Sequence, residues 1–259
     1  MANNLGMNLT ERDKQNSMIF RVSEILKAFH YGEKSLTVTE IARRTGIPKA
    51  SAARIVTEMV FFGFLEKDKS KVRLGLRFFE LGQLATRSAD LRQFAYKSML
   101  ELSQATGQTV HLAVLDETDV VYMQILRGKQ APPLPSRIGG RLPAYATGVG
   151  KALLAYAPDD TLEEIKSNGL RPLGPRTITD FEQLKSQLAS IRENRLAFET
   201  EESSPNLACA AAPILQGNKA VAAISVTVDI RQTDVTRMGP AVSAIARALS
   251  RESLKLDQQ

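Results

Sequence analysis

The sequence predicts a mixed α+β protein in two parts: an N-terminal winged helix-turn-helix, a linker helix, and a larger C-terminal domain of strands with helices outside. Three observations predict it. The stretch Thr37–Arg73, TVTEIARRTGIPKASAARIVTEMVFFGFLEKDKSKVR, holds two helical patterns divided at Gly46, then switches to strand-like runs. Charge is segregated: of 34 Lys+Arg and 28 Asp+Glu, residues 1–87 hold 15 and 9, which leaves 19 of each for the rest. Beyond Gly107, short apolar runs alternate with turn residues and helical patterns, which reads as a sheet with helices around it.

The elements follow in order. Residues 1–16 are polar and loosely held. Ser17 opens a helix in which Met18, Val22, Ile25, Leu26 and Phe29 share one face, and Gly32 ends it. Thr37-Val38-Thr39-Glu40 has capping-box spacing: the hydroxyl and the carboxylate three positions on each satisfy a free N–H of the first turn. Val38, Ile41 and Ala42 face inward, Gly46 stops this helix, and Pro48 stands as the first residue of the next, where its missing N–H would have been unpaired anyway.

The helix from Pro48 turns Ala52, Ile55, Val56 and Met59 inward and leaves Lys49, Ala50, Ser51, Ala53, Arg54 and Thr57 outward. A major-groove helix needs such a face: small enough to approach, with groups that bond base edges and phosphates. Phe64–Lys67 and Val72–Leu74 then form two strands around Asp68-Lys69-Ser70. Lys67, Lys69, Lys71 and Arg73 on this hairpin suit a phosphate backbone, and Arg43 and Arg44 add backbone contacts. Helix-turn-helix spacing alone also occurs in proteins that never touch DNA; the basic hairpin and the charge segregation favour double-stranded DNA.

Leu76–Arg87 returns to a helical period and is read as the linker. Its Phe78, Phe79 and Leu81 either pair with another subunit or fold back on their own domain. The domains are therefore 1–75, the linker 76–88, and 89–259. Leu91–Thr106 is an amphipathic helix with Leu91, Phe94, Ala95, Met99 and Leu102 inward. Thr109–Leu115 and Val120–Leu126 form a hairpin, and Gln130–Gly140, QAPPLPSRIGG, is a loop. Thr161–Asn168 and Phe181–Asn194 are surface helices, the second capped by Asp180. Phe198–Thr200, Ala208–Leu215 and Val221–Val228 are strands, and Val235–Leu254 closes as a helix.

Composition excludes several classes. No apolar run approaches the ~20 residues of a membrane span, and the polar N-terminus has no signal-peptide core, so a cytoplasmic protein is expected. A single cysteine, Cys209, forbids an internal disulfide, and two distant histidines, His30 and His111, make no metal site. No cofactor is expected. There is no Gly-x-Ser-x-Gly elbow and no phosphate-binding loop of the Walker type, and neither histidine has a visible partner. Glu199, Glu201 and Glu202 resemble a solvated run, and Cys209 an inert small hydrophobe. The tract IGGRLPAYATGVGKALLAY, Ile138–Tyr156, reads two ways. Its small residues and free N–H groups, with the Thr147 hydroxyl, admit an anionic ligand, or they make a tight turn packed on the sheet.

Taken together, the chain resembles the IclR family of bacterial transcriptional regulators from about Ser17 to Leu254. Four segments carry the resemblance in order: LTVTEIARRTGIPKASAARIVTEMVFFGFLEKD, IGGRLPAYATGVGKALLA, LASIRENRLAFETEE, and LACAAAPI followed by AVAAISVTV. The resemblance implies a GAF/PAS-like effector domain, homodimers or homotetramers on palindromic operators, and a regulator, more often a repressor, of catabolic genes that senses a carboxylate or aromatic acid derivative. It also implies effector contacts at Ala131, Leu134 and Leu142, at the backbone N–H groups of Gly148 and Val149, at Glu199, at Leu207 and Cys209 on one wall, and at the hydroxyls of Ser225 and Thr227. One departure is Asn206, where the family usually has glycine before the cysteine-bearing strand; asparagine tolerates the left-handed turn. The modest size of Ala131 and Leu134 leaves room for a flat aromatic acid. Two other readings remain: an enzyme of small-acid metabolism with an N-terminal interaction module, and a DNA-binding protein whose second domain only oligomerises.

Overall fold

A computed structural model of the chain describes residues 17–84, 86–129 and 131–256; the polar segment 1–16 and the loop position Gln130 lie outside the described residues. The chain divides into two compact units, one ending at Thr86 and the other beginning at Arg87.

The first unit contains α1 (Met18–Lys27), α2 (Val38–Thr45), α3 (Lys49–Phe61), the hairpin β1 (Leu65–Asp68) and β2 (Lys71–Leu74), and α4 (Arg77–Leu84). The capping box is complete: Glu40 N–H donates to Thr37 Oγ1 at 3.2 Å and Thr37 N–H donates to Glu40 Oε2 at 2.7 Å. Gly46 closes α2 at φ 70°, a conformation open to glycine at little steric penalty. Pro48 precedes α3 as its cap, with an extended ψ of 135°, so the helix begins one residue later than expected. α1 also ends earlier, at Lys27, and Gly32 (φ 87°) shapes the turn beyond it. Ile25, Ile41, Ala52, Ile55, Val56, Met59, Leu65 and Val72 form the core of this unit. Leu36 and Val72 exchange both backbone hydrogen bonds, which fastens a third segment of chain beside β2.

The second unit is built on a six-stranded antiparallel sheet. Its elements are α5 (Thr86–Thr106), β3 (Thr109–Asp116), β4 (Asp119–Leu126), β5 (Arg141–Pro143), a 3-10 turn at Ala144–Ala146, α6 (Gly148–Leu154), α7 (Asp159–Asn168), α8 (Phe181–Asn194), β6 (Ala197–Thr200), β7 (Leu207–Gln216), β8 (Lys219–Asp229), a 3-10 turn at Val235–Met238, and α9 (Gly239–Leu256). The strand order is β5-β4-β3-β8-β7-β6.

Alternation along each strand divides the sheet into two cores. Val110, Leu112, Ala208, Ala210, Ile224 and Val226 pack with Met99 and Leu102 of α5 and with Val242 and Leu249 of α9. On the opposite face Ala113, Ala211 and Ala223 pack with α6 and with Leu184, Leu188 and Ile191 of α8. Asp180 caps α8 as expected, accepting from Gln183 N–H at 2.7 Å. Asn206 takes φ 61°, the left-handed turn expected at that position. α6 is short, and every one of its residues is buried, so it forms the middle of the layer over the sheet.

Candidate ligand pocket and nucleic-acid interface

The register of the sheet assembles one polar patch. Glu199 stands opposite Cys209, Cys209 opposite Thr227, and Thr227 opposite Thr109, in a row across four strands. The next row places His111 opposite Ser225. All of these point toward the α6 layer, since residues two apart on a strand share a face. α6 sits directly on the patch because Gly148 has no side chain: a Cβ there would lie 3.0 Å from Cys209 Cβ and 3.4 Å from Ala211 Cβ. Thr147 caps the helix by accepting from Gly150 N–H at 3.0 Å. The N–H groups of Gly148 and Val149 have no backbone acceptor among the described residues.

Beneath α6 lies a cavity of about 20 Å³. Of the residues that the sequence nominated, Leu134, Leu142, Gly148, Val149, Leu207, Cys209, Ser225 and Thr227 line it together. Ala131 and Glu199 do not. Ala131 stands at the base of the loop, its N–H donating to the Gly128 carbonyl at 3.2 Å. Glu199 lies behind the wall, where its Oε1 accepts from the N–H groups of Glu202 and Ser203 at 2.6 and 3.0 Å. Its Oε2 has no partner among the described residues, and burial pushes its carboxyl above the ordinary range. The view of Glu199 and Glu202 as solvated is overturned: they are 1% and 5% exposed, and Glu201 between them, at φ 56°, is half-buried, pairing with Arg176 at 3.3 Å and accepting from Asn206 N–H at 3.0 Å.

Thr147, whose hydroxyl the glycine tract offers, lines the cavity too, and five further lining residues escaped the sequence reading: His111, Tyr122, Pro135, Ser136 and Ser203. His111 does have partners. Its Nε2 lies 2.8 Å from Ser136 Oγ and its Nδ1 3.3 Å from Thr227 Oγ1. Burial pushes its pKa down to about 3, so the ring is neutral, with one nitrogen donating and the other accepting. The Tyr122 ring lies 5.3 Å from it, and burial raises that phenol. Cys209 Sγ is 3.1 Å from Thr227 Oγ1; burial pushes the thiol up, which keeps it protonated and unreactive. The cavity thus combines hydroxyls and a neutral imidazole with aliphatic walls and one aromatic ring. It suits a small ligand held by hydrogen bonds.

Below α6 lies a buried ion pair. Lys151 is fully enclosed, with Nζ 2.5 Å from Glu202 Oε1 and 3.0 Å from Gln187 Oε1. Among the described residues, no group of three or more His, Cys, Asp or Glu is placed to hold a metal ion.

In the first unit, Lys49, Ala50 and Arg54 of α3 are exposed and Ser51 is half-buried. Arg54 carries a solvent-exposed pairing to Glu58 at 2.9 Å, weak enough to give way to a base edge. Lys67, Lys69, Lys71 and Arg73 are exposed on the hairpin, with Lys69 in the left-handed turn at φ 57°. Arg73 is steadied by Glu66 at 2.9 Å, whose other oxygen accepts from Leu76 N–H. Arg43 is exposed. Arg44 is a correction: it is half-buried and fastens α2 to the end of α1, donating to Glu33 at 2.6 and 2.7 Å and to the Ala28 carbonyl at 2.7 Å. That fork holds the Glu33 carboxyl down to about 2 and commits both terminal nitrogens of Arg44 to the end of α1 and the turn after it.

Comparison with known proteins bears on both units. The model of the IclR helix-turn-helix domain matches residues 19–69, and that of the bacterial transcriptional regulator IclR C-terminal domain matches residues 83–251. The HTH-type transcriptional regulator XynR of Escherichia coli (strain K12) is 33% identical over 211 residues, 80% of this chain and 84% of that one. The p-hydroxybenzoate hydroxylase transcriptional activator of Acinetobacter baylyi is 32% identical over 197 residues, 74% of this chain and 73% of that one. A crystal structure of an IclR homolog complexed with 4-hydroxybenzoate from Microbacterium hydrocarbonoxydans superposes with a TM-score of 0.85 at 31% identity, covering 93% of this chain and 100% of that one.

Proposed function

Because the chain belongs to the IclR family of bacterial transcriptional regulators, it is a DNA-binding regulator and not an enzyme, and we propose that it answers to an aromatic carboxylic acid bound under α6. The observation that carries this reading is the gathering of eight nominated residues around one cavity, with polar groups on the sheet and the N–H groups of Gly148 and Val149 facing them. The carboxylate would take those N–H groups and the hydroxyls of Ser225 and Thr227; the ring would lie among Leu134, Leu142, Val149 and Leu207. Burial pushes the Glu199 carboxyl up toward its protonated form, which lessens its opposition to an anion. The 4-hydroxybenzoate in one structural relative and the p-hydroxybenzoate hydroxylase in the name of a sequence relative support an aromatic acid. Its genes would be catabolic and its place the cytoplasm, where the DNA is; no helix among the described residues is long and apolar enough to cross a membrane. Titration calorimetry with aliphatic and aromatic acids tests the ligand class. Binding of glyoxylate or pyruvate, with no aromatic acid binding, would overturn it.

On DNA, α3 would lie in the major groove with Lys49, Ser51 and Arg54 at base edges, and Lys67, Lys69 and Lys71 would follow the phosphates. Arg54→Ala is expected to weaken specific operator binding by about 1–3 kcal/mol, the discrimination of a good bidentate base contact. A gel shift on the DNA upstream of the gene reads this, and an unchanged affinity removes Arg54 from that role. The same assay with and without acid reads the sign of regulation, since a ligand shifts a population only by preferring one arrangement.

A palindromic operator calls for a homodimer. The apolar residues at and beside α4 support one: Leu76 just before the helix, and Phe79 and Leu84 within it, are 63%, 64% and 74% exposed, more apolar surface than a lone helix leaves in water. Phe79→Glu is expected to shift the full-length protein toward monomer in analytical ultracentrifugation and to weaken operator binding with it. An unchanged sedimentation coefficient would place the subunit contact elsewhere.

A further inference from the structure

The cavity under α6 and the ligand proposed for it differ in size. Its volume of about 20 Å³ holds roughly one water molecule, whereas a cavity that takes up benzene measures about 150 Å³. One wall must move. The strands and α6 are bound into the core on both faces; the wall formed by Leu134, Pro135 and Ser136 is not.

These three belong to the segment Ala131–Gly140. Its backbone is anchored at its ends, by Ala131 N–H on the Gly128 carbonyl at 3.2 Å and by Gly139 N–H on the Tyr122 carbonyl at 2.8 Å. Between Pro132 and Ser136 no backbone hydrogen bond forms among the described residues, and Pro132, Pro133 and Pro135 have no N–H to offer. Within residues 131–139 only Ser136 is buried, and it is the residue whose hydroxyl meets His111 Nε2 at 2.8 Å. Gly139, at φ 72°, stands at the far anchor. A stiff prolyl segment, hinged at both ends and with its buried Ser136 hydroxyl tied to the sheet, is built to move as a flap.

We propose that Ala131–Gly140 is a flap latched over the effector cavity by the His111–Ser136 hydrogen bond, and that the effector displaces Ser136 and takes its place on His111. The ligand class is then narrower than an aromatic acid: it is one that carries a hydroxyl besides its carboxylate. This rests on the reading of the cavity as the effector site. The physical reason is the imidazole nitrogen. His111 is buried and neutral, and a ligand that takes the place of Ser136 covers Nε2 as Ser136 does now. A ligand that offers it no hydrogen bond leaves it unpaired; a site built around such a bond discriminates against the analogue that lacks the hydroxyl. The expected preference for a hydroxybenzoate over benzoate is on the order of 10-fold or more. Opening the flap also opposes binding, so the apparent affinity is reduced by the fraction of time the latch is open.

Two measurements on the full-length protein test this. Hydrogen exchange without ligand follows the amides of Arg137, Ile138 and Gly139 in the wild type and in Ser136→Ala. At least several-fold faster exchange in the variant is expected, and unchanged rates would overturn the latch. Calorimetry with benzoate and the three monohydroxybenzoates follows the ligand. At least one hydroxybenzoate should bind the wild type more tightly than benzoate. Ser136→Ala should tighten it about 2- to 10-fold, the equivalent of one net hydrogen bond, and His111→Gln and His111→Leu should reduce or abolish the preference for the hydroxyl. Equal affinity for benzoate, or a preference that survives both His111 variants, overturns the assignment of the hydroxyl to His111. If no aromatic acid binds the wild type, the effector reading and the ligand class fall together, and the exchange data alone decide the latch.

Discussion

Lys151→Ala is expected to destabilise the C-terminal unit by about 3–5 kcal/mol, as removal of one member of a buried ion pair does. Lys151 is 0% exposed on a helix buried along its whole length, and its ammonium group meets Glu202 at 2.5 Å and Gln187 at 3.0 Å. Truncation leaves the Glu202 carboxylate without a countercharge in a place that water does not reach. For a unit of this size the midpoint of thermal unfolding should fall by on the order of 10 °C. The loss should also depend on pH in one direction. Burial already pushes the Glu202 carboxyl up while Lys151 pulls it down. Without the lysine the native carboxyl rises further above its unfolded value. Stability from such a group is present below the unfolded pKa and lost as pH rises through the folded one, so the deficit should shrink toward pH 4.5. Lys151→Met with Glu202→Leu should recover most of the loss, since apolar replacements of a buried pair are often neutral or better. Urea unfolding at pH 5 and pH 7.5 measures all three proteins. A Lys151→Ala variant within 1 kcal/mol of the wild type at both values, an allowance of about the ordinary surface-mutation scatter, would show that the pair does not support the fold.

Acid should weaken the same unit through His111. Its native pKa of about 3 lies far below the ordinary 6.5. Between these values the unfolded chain holds a proton that the native chain does not, so stability rises with pH across the window. The neutral imidazole contributes its full share above pH 6.5 and loses it as pH falls toward 3, up to on the order of 5 kcal/mol at about 1.36 kcal/mol per pH unit. Glu199 and Glu202 act oppositely, since burial raises both carboxyls and their contributions fade as pH rises. His111→Gln should therefore flatten the stability profile between pH 6.5 and pH 4. Denaturant midpoints taken every half unit would reveal it. A profile that keeps the wild-type slope assigns the acid loss to other groups.

The contrast between the two units explains what the sequence made legible. In the first, the information is local. Thr37 and Glu40 are three residues apart, Gly46 marks its own turn, and the inward stripe Ala52, Ile55, Val56 and Met59 lies on one helix. In the second, the helix capped by Asp180 and the strand pairs were legible for the same reason. The partners of the buried polar groups were not. Ser136 is 25 positions from His111, Thr227 is 116, and Glu202 is 51 from Lys151. No spacing rule reaches so far, and both His111 and Glu202 were left without a role. One signal was available: Lys151 stands alone in GVGKALL among small and apolar neighbours. A lysine that cannot reach water needs an acid within reach. For Arg44 the failure was of another kind. An arginine beside another arginine on a basic helix reads as a DNA contact, and only the folded chain brings Glu33 under it.

The placement of β8 beside β3 also governs the order of events at the ribosome. Their paired residues lie 110 to 118 positions apart, and β8 is the last strand to be made. Until it emerges, β3 and β4 are a bare hairpin, β7 lacks its inner neighbour, and the cavity has no floor. Contacts of such long range form slowly. The first unit, ending at Thr86, has its own core and is placed to fold while the remainder is still being synthesised. A nascent chain therefore passes through an interval in which its helix-turn-helix can be folded while its ligand cavity does not yet exist. A frameshift between the two units would make that interval permanent.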